Sequence, residues 1–77
     1  MSNNLIAYHR TEPLQDGRFI PQVDIISAPS SDIVHTRLRD DDHPCATREE
    51  AERHEVQLAE QWRRENASDD SIIEFRN

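Results

Sequence analysis

A chain of 77 residues with a formal charge of −7 has room for one domain with a small core. Its acidity disfavours general nucleic-acid binding, in which neutralised phosphates supply most of the affinity. The basic residues are all arginine, which excludes Schiff-base chemistry and the lysine of a phosphate-binding loop.

The charge is divided along the chain. Acids and arginines balance over residues 1–39, so the whole excess of negative charge falls in residues 40–77. Leu, Ile, Val and Phe make up only about a fifth of the chain, close to the range of disordered sequences. The single cysteine, Cys45, cannot form an internal disulfide, and there is neither a signal-peptide pattern nor an apolar run of membrane-spanning length. A cytoplasmic protein without membrane contact is expected.

Residues 1–4 read as a frayed start. Leu5 to Thr11 is short, partly alternating and rich in strand formers, a first strand with Ile6 and Tyr8 on one face and Leu5, Ala7 and His9 on the other. Asp16-Gly17 is a turn signal inside a hairpin connection. Arg18 to Ser27 is the clearest strand, with Phe19, Val23 and Ile25 on one face and Gln22 and Asp24 on the other. Pro21 requires either a bulge or a start at Gln22, because proline cannot donate to a ladder. Ala28 to Asp32 is a loop. Ile33 to Arg39 is a third strand, with Val34, Thr36 and Leu38 opposed to Ile33, His35 and Arg37.

Asp40 to Ala46 is an acidic loop, and Thr47 to Asn66 an amphipathic helix. Thr47 and Glu50 form a capping box, acids open the helix, Arg63 and Arg64 close it, and Asn66 is a left-handed stop. Ala51, His54, Leu58 and Trp62 share one stripe, with Ala59 on its shoulder and Val56 off it. Residues 67–77 are read as an acidic tail, flexible, beyond a single domain of residues 1–66. The expected fold is α+β: a three-stranded antiparallel meander followed by one helix packed on one sheet face, βββα. Its core would join Ile6, Tyr8, Phe19, Val23, Ile25, Val34 and Leu38 to Ala51, Leu58 and Trp62.

Tyr8, Pro13, Asp16-Gly17 with Phe19, the strand through Val23 and Ile25, the polar run Leu38 to Asp42 and Thr47-Arg48-Glu49-Glu50-Ala51 together resemble the small bacterial HlyU-like domains over residues 6–64. In that family three strands lead into a helix opened by such a sequence. The resemblance implies the βββα fold and a role in regulation, through the family's label of transcriptional activator, and it implies no catalytic residues.

Sites follow from what is left over. His43 and Cys45 flank Pro44 beside three aspartates, but one His-x-Cys pair without a second is not a structural zinc spacing. Cys45, two residues before the helix cap, is placed where the dipole can favour a thiolate, and is read as an inert cysteine ahead of a redox sensor. With one glycine there is neither a nucleophile elbow nor a phosphate cradle, so no enzyme, cofactor or metal is expected.

The uncovered sheet face is the candidate interaction surface, lined by His9, Gln22, Asp24, His35 and Arg37, with Arg39 at its end. Ile72, Ile73 and Phe75 are a candidate tail motif that could add a strand to a partner's sheet, pair with a second copy, or tuck back on its own domain. The leading expectation is a small non-enzymatic interaction or regulatory protein with a protein partner, including a homodimer. The alternatives are DNA binding through the sheet face and acidic mimicry of nucleic acid.

Overall fold

The computed structural model describes residues 4–27, 34–67 and 71–77. Its elements are β1 (Asn4–His9), β2 (Glu12–Pro13), β3 (Phe19–Ile20), β4 (Gln22–Ser27), β5 (Val34–Arg39), α1 (Arg48–Asn66) and β6 (Ile72–Arg76). Of the expected frayed start at residues 1–4, Asn4 already belongs to β1, while residues 1–3, the loop at 28–32, the opening of the third strand at Ile33, and Asp69 and Asp70 lie outside the described residues.

The βββα meander is overturned. The main sheet has four strands in the order β5-β4-β1-β6, and a separate two-stranded sheet pairs β2 with β3. The segment read as a tail beyond the domain supplies β6, which pairs in parallel with β1, Leu5 opposite Ile73 and Ala7 opposite Phe75. α1 therefore carries the chain from one edge of the sheet to the other. The physical reason is in the alternation of the last residues: Ile73 and Phe75 point to the helix side and pack on the core, while Ile72, Glu74 and Arg76 point away. They cover Leu5 and Ala7, which would otherwise lie at an exposed edge.

The connection between the first two long strands is itself folded. Glu12 pairs with Ile20 and Pro13 with Phe19, and the turn between them requires Gly17, whose φ of 90° lies in the left-handed region that favours glycine. Phe19 then exchanges backbone hydrogen bonds with Cys45 at 2.8 and 2.7 Å, which pins the loop before the helix. The regular strand β4 begins at Gln22, after Pro21.

The core also differs from the expected set at its first strand. Antiparallel pairing sets Ala7 opposite Ile25 and His9 opposite Val23, so Leu5 and Ala7, with Val23, Ile25 and Ala59, form the buried centre. Ile6 and Tyr8 lie on the other face. Leu38, Leu58 and Trp62 close the rim; the side chain of Val34 is outside what is described.

α1 begins as its sequence requires. Thr47 is the N-cap in extended conformation, and its hydroxyl accepts from the Glu50 N–H at 3.1 Å. It does not end as expected: Asn66 remains helical, its side chain donates to the Trp62 carbonyl, and extended Ala67 is the C-cap, donating to Arg63 O at 2.9 Å. Ala51, Glu55 and Ala59 form the buried stripe, with Leu58 and Trp62 partly buried beside it. Among the described residues no helix is long and apolar enough to cross a membrane.

Candidate functional site

The most unusual side chain is Glu55, a carboxylate with no exposed surface. It sits one turn from Ala51 and one turn from Ala59, and those two small residues let the helix approach the sheet closely enough for a glutamate to reach the strand ends. Three groups meet it there. His9 Nδ1 lies 2.6 Å from Oε1, the Thr11 hydroxyl donates to Oε2 at 2.5 Å, and the Gln22 backbone N–H donates to the same oxygen at 3.0 Å. A buried carboxylate with several donors is a satisfied one, and it joins β1, the segment after β1, β4 and α1 at a single point. The His9 ring, 14% exposed, stacks on Phe75 with 5.7 Å between centroids. With Nδ1 committed to Glu55, Nε2 is the ring nitrogen left for other contacts.

Outside this node a cleft of about 630 Å³ opens, lined among others by His9, Arg10, Gln22, Arg37, Arg39 and Arg48. Two of these arginines are held by acids. Arg37 grips Asp24 with both arms of its fork, Nε to Oδ1 at 2.7 Å and Nη2 to Oδ2 at 3.0 Å. Arg39 bonds to Asp41 at 2.5 Å, to the Gln22 amide oxygen at 2.7 Å and to Glu12. The other two rest on rings: Arg10 lies 5.0 Å from the Tyr8 centroid and Arg48 5.1 Å from that of Phe19.

Asp24 is the centre of the uncovered sheet face and is itself 6% exposed, roofed by Arg37 with Arg10 and His35 at 3.7 and 3.5 Å. The Arg37 hydrogen bonds hold its carboxyl below the usual aspartate range, against the opposing effect of burial. A group with a depressed folded pKa contributes stability above its unfolded pKa and loses it as pH falls through the folded one. The stability difference between wild type and Arg37→Ala is therefore expected at neutral pH and should shrink as pH drops below 3.8, the ordinary value for this carboxyl. Urea midpoints measured along a pH series check this; a difference that grows on acidification contradicts it.

Of the residues expected on the open face, Gln22, Asp24, His35, Arg37 and Arg39 share it, by the register of β4 on β5. His9 does not. It points to the helix side, where Glu55 receives it. It nonetheless rejoins Gln22, Arg37 and Arg39 at the cleft. The tail residues separate: Ile73 and Phe75 pack on the core, while Ile72 is 64% exposed.

The acidic loop has its own small network. Asp40 lies 3.0 Å from His43 Nδ1 and 2.7 Å from His54 Nε2. The His43 contact is the main reason its carboxyl is lowered, and Asp40 in turn raises His43. The Cys45 thiol is shifted upward by burial and by nearby Glu50, Asp40 and Glu55, against the pull of the helix dipole. Among the described residues no group of three or more His, Cys, Asp or Glu is arranged to hold a metal ion.

Sequence reasoning missed Glu55, Thr11, Arg10 and Arg48. For Glu55 the signal was present, since it falls inside the stripe between Ala51 and Ala59, and a carboxylate in an apolar stripe demands partners. Comparison with protein-family models, with curated proteins and with solved structures finds no match to this chain.

Proposed function

We propose that the protein is a small non-enzymatic regulatory module that acts through protein contacts on its uncovered sheet face. The observation that carries this reading is Ile72, the exposed large hydrophobic side chain among the described residues. It stands on an edge strand and lines, with Ile6, Leu5 and Ile73, a depression of about 540 Å³ at the margin of the sheet. On the same face Ile6 pairs with Ile26, and Tyr8 carries Arg10 over its ring beside the Asp24–Arg37 pair. Aliphatic side chains flanked by tyrosine and arginine have the composition of a protein interface. The regulatory part of the reading rests on the resemblance to the HlyU-like domains.

A second copy of the chain is the simplest partner, and a different protein with an apolar contact is the other. Sedimentation across a concentration series and affinity capture from native cell extract, each with wild type and with Ile72→Glu, test the face. Association is expected to weaken by at least about tenfold in the variant, with an unchanged circular dichroism spectrum. Identical association by the two proteins overturns the reading, and duplex DNA binding that falls steeply with salt assigns the face to nucleic acid instead.

A further inference from the structure

β1, β5 and β6 run in the same direction, because β4 is antiparallel to both β1 and β5 while β6 is parallel to β1. Their carboxyl ends therefore lie at one end of the sheet, and the start of α1 reaches the same end with Arg48 and Glu52. In open α/β sheets the crevice beyond the carboxyl ends of parallel strands, faced by a helix N-terminus, is a recurrent ligand position. The cleft of about 630 Å³ occupies that place and has the size of a small-molecule site.

Its chemistry runs against the rest of the chain. Four of the arginines of a protein with net charge −7 converge on it. Arg37 and Arg39 are consumed by Asp24 and by Asp41, Gln22 and Glu12. Arg10 and Arg48 are held more loosely: Arg10 Nε lies 3.7 Å from Asp24 Oδ2 and its Nη1 donates to the His9 carbonyl at 3.5 Å, while Arg48 forms no ion pair among the described residues. Each guanidinium lies instead on an aromatic ring, Tyr8 or Phe19. Stacking fixes the plane of the fork while leaving its N–H edges to donate elsewhere. Arg48 also occupies the first helical position, where the dipole disfavours a cation, so helix stability does not account for it.

His9 adds a third donor or acceptor, since Glu55 holds its Nδ1 and leaves Nε2. Two forks and an imidazole nitrogen offer more donors than one carboxylate needs and suit a group with three terminal oxygens. Glu52 and Glu12 on the lining select against an extended polyanion such as a nucleic-acid backbone and for a ligand whose charge is concentrated in one group. We propose that this cleft binds a phosphoryl group, free or as a small phosphomonoester, with Arg10 and Arg48 as its guanidinium donors and His9 Nε2 as the third contact.

The test is a titration of the full chain with inorganic phosphate, with glycerol phosphate and with acetate at matched ionic strength, followed by amide NMR. Phosphate and the ester are expected to give saturable shifts confined to residues 9–11, 22 and 48–52. Arg10→Ala and Arg48→Ala, both exposed side chains, should each weaken binding by about tenfold. Arg64→Ala, on the outer face of the helix, should leave it unchanged, and all three variants should keep the wild-type thermal midpoint. Tighter binding of the ester assigns the site to a phosphomonoester, and equal binding assigns it to the phosphoryl group alone. The proposal is overturned if neither phosphate compound saturates, if acetate reproduces the shifts at the same concentration, or if Arg64→Ala weakens binding as much as the cleft variants.

Discussion

Replacing Glu55 by alanine is expected to remove about 3–5 kcal/mol of stability. The carboxylate is fully buried and accepts from the Thr11 hydroxyl and the Gln22 N–H, with His9 Nδ1 on its other oxygen. Its loss leaves those donors buried without an acceptor, at about 1–3 kcal/mol each, beside a new cavity. A domain of this size holds about 4–11 kcal/mol in all, so the variant should sit at the edge of unfolding. Glu55→Gln keeps the shape and an acceptor oxygen for Thr11 and Gln22, while its amide nitrogen faces His9, which can answer by changing tautomer; it should cost less than half as much. Urea unfolding of the three proteins decides. Equal losses for the alanine and glutamine variants would mean that packing, not hydrogen bonding, is what Glu55 supplies, and a loss under about 1 kcal/mol for alanine would deny the node its structural role.

Deleting residues 71–77 should abolish cooperative unfolding. The segment contributes the β6 ladder on β1 and the packing of Ile73 and Phe75 against the core around Leu5 and Ala7. Truncating either side chain alone is expected to cost about 2–3 kcal/mol, the lower end for large apolar residues because both are partly exposed. Removing both, with the ladder, exceeds most of what the domain holds and turns central β1 into a bare edge prone to pairing with other chains. Circular dichroism melts and light scattering check this. A deleted chain that melts cooperatively at the wild-type midpoint would show that β6 is dispensable.

Individual elements, though not the topology, were legible in the sequence because local rules acted alone there. The Thr47 cap, the helix beyond it, the Asp16-Gly17 turn and the start of β4 after Pro21 each follow from the preferences of a few neighbouring residues. What escaped was set by distant partners. Period-two alternation in β1 shows two faces without saying which is buried; the choice of Leu5 and Ala7 over Ile6 and Tyr8 comes from the register with β4 and from Glu55 receiving His9. The acidic stretch before Ile72 masked a strand whose value lies wholly in what it covers. Five of the six residues expected on the candidate face share one side of the sheet, yet the cleft stayed hidden because its arginines come from the residue after β1, from β5 and from the first turn of α1, far apart in sequence.

The pairing of Asn4 with Ile72 has a kinetic meaning as well. β1 gains its second neighbour only from residues 72–76, so the intervening segments must all be available before the sheet can be completed. Such long-range closure slows folding, and a nascent chain would hold Leu5, Ala7 and the β1 edge unprotected until residues 72–76 have been made. The exposure of that flank before β6 docks is the cost of closing a sheet around a strand whose two partners lie on either side of the helix in sequence.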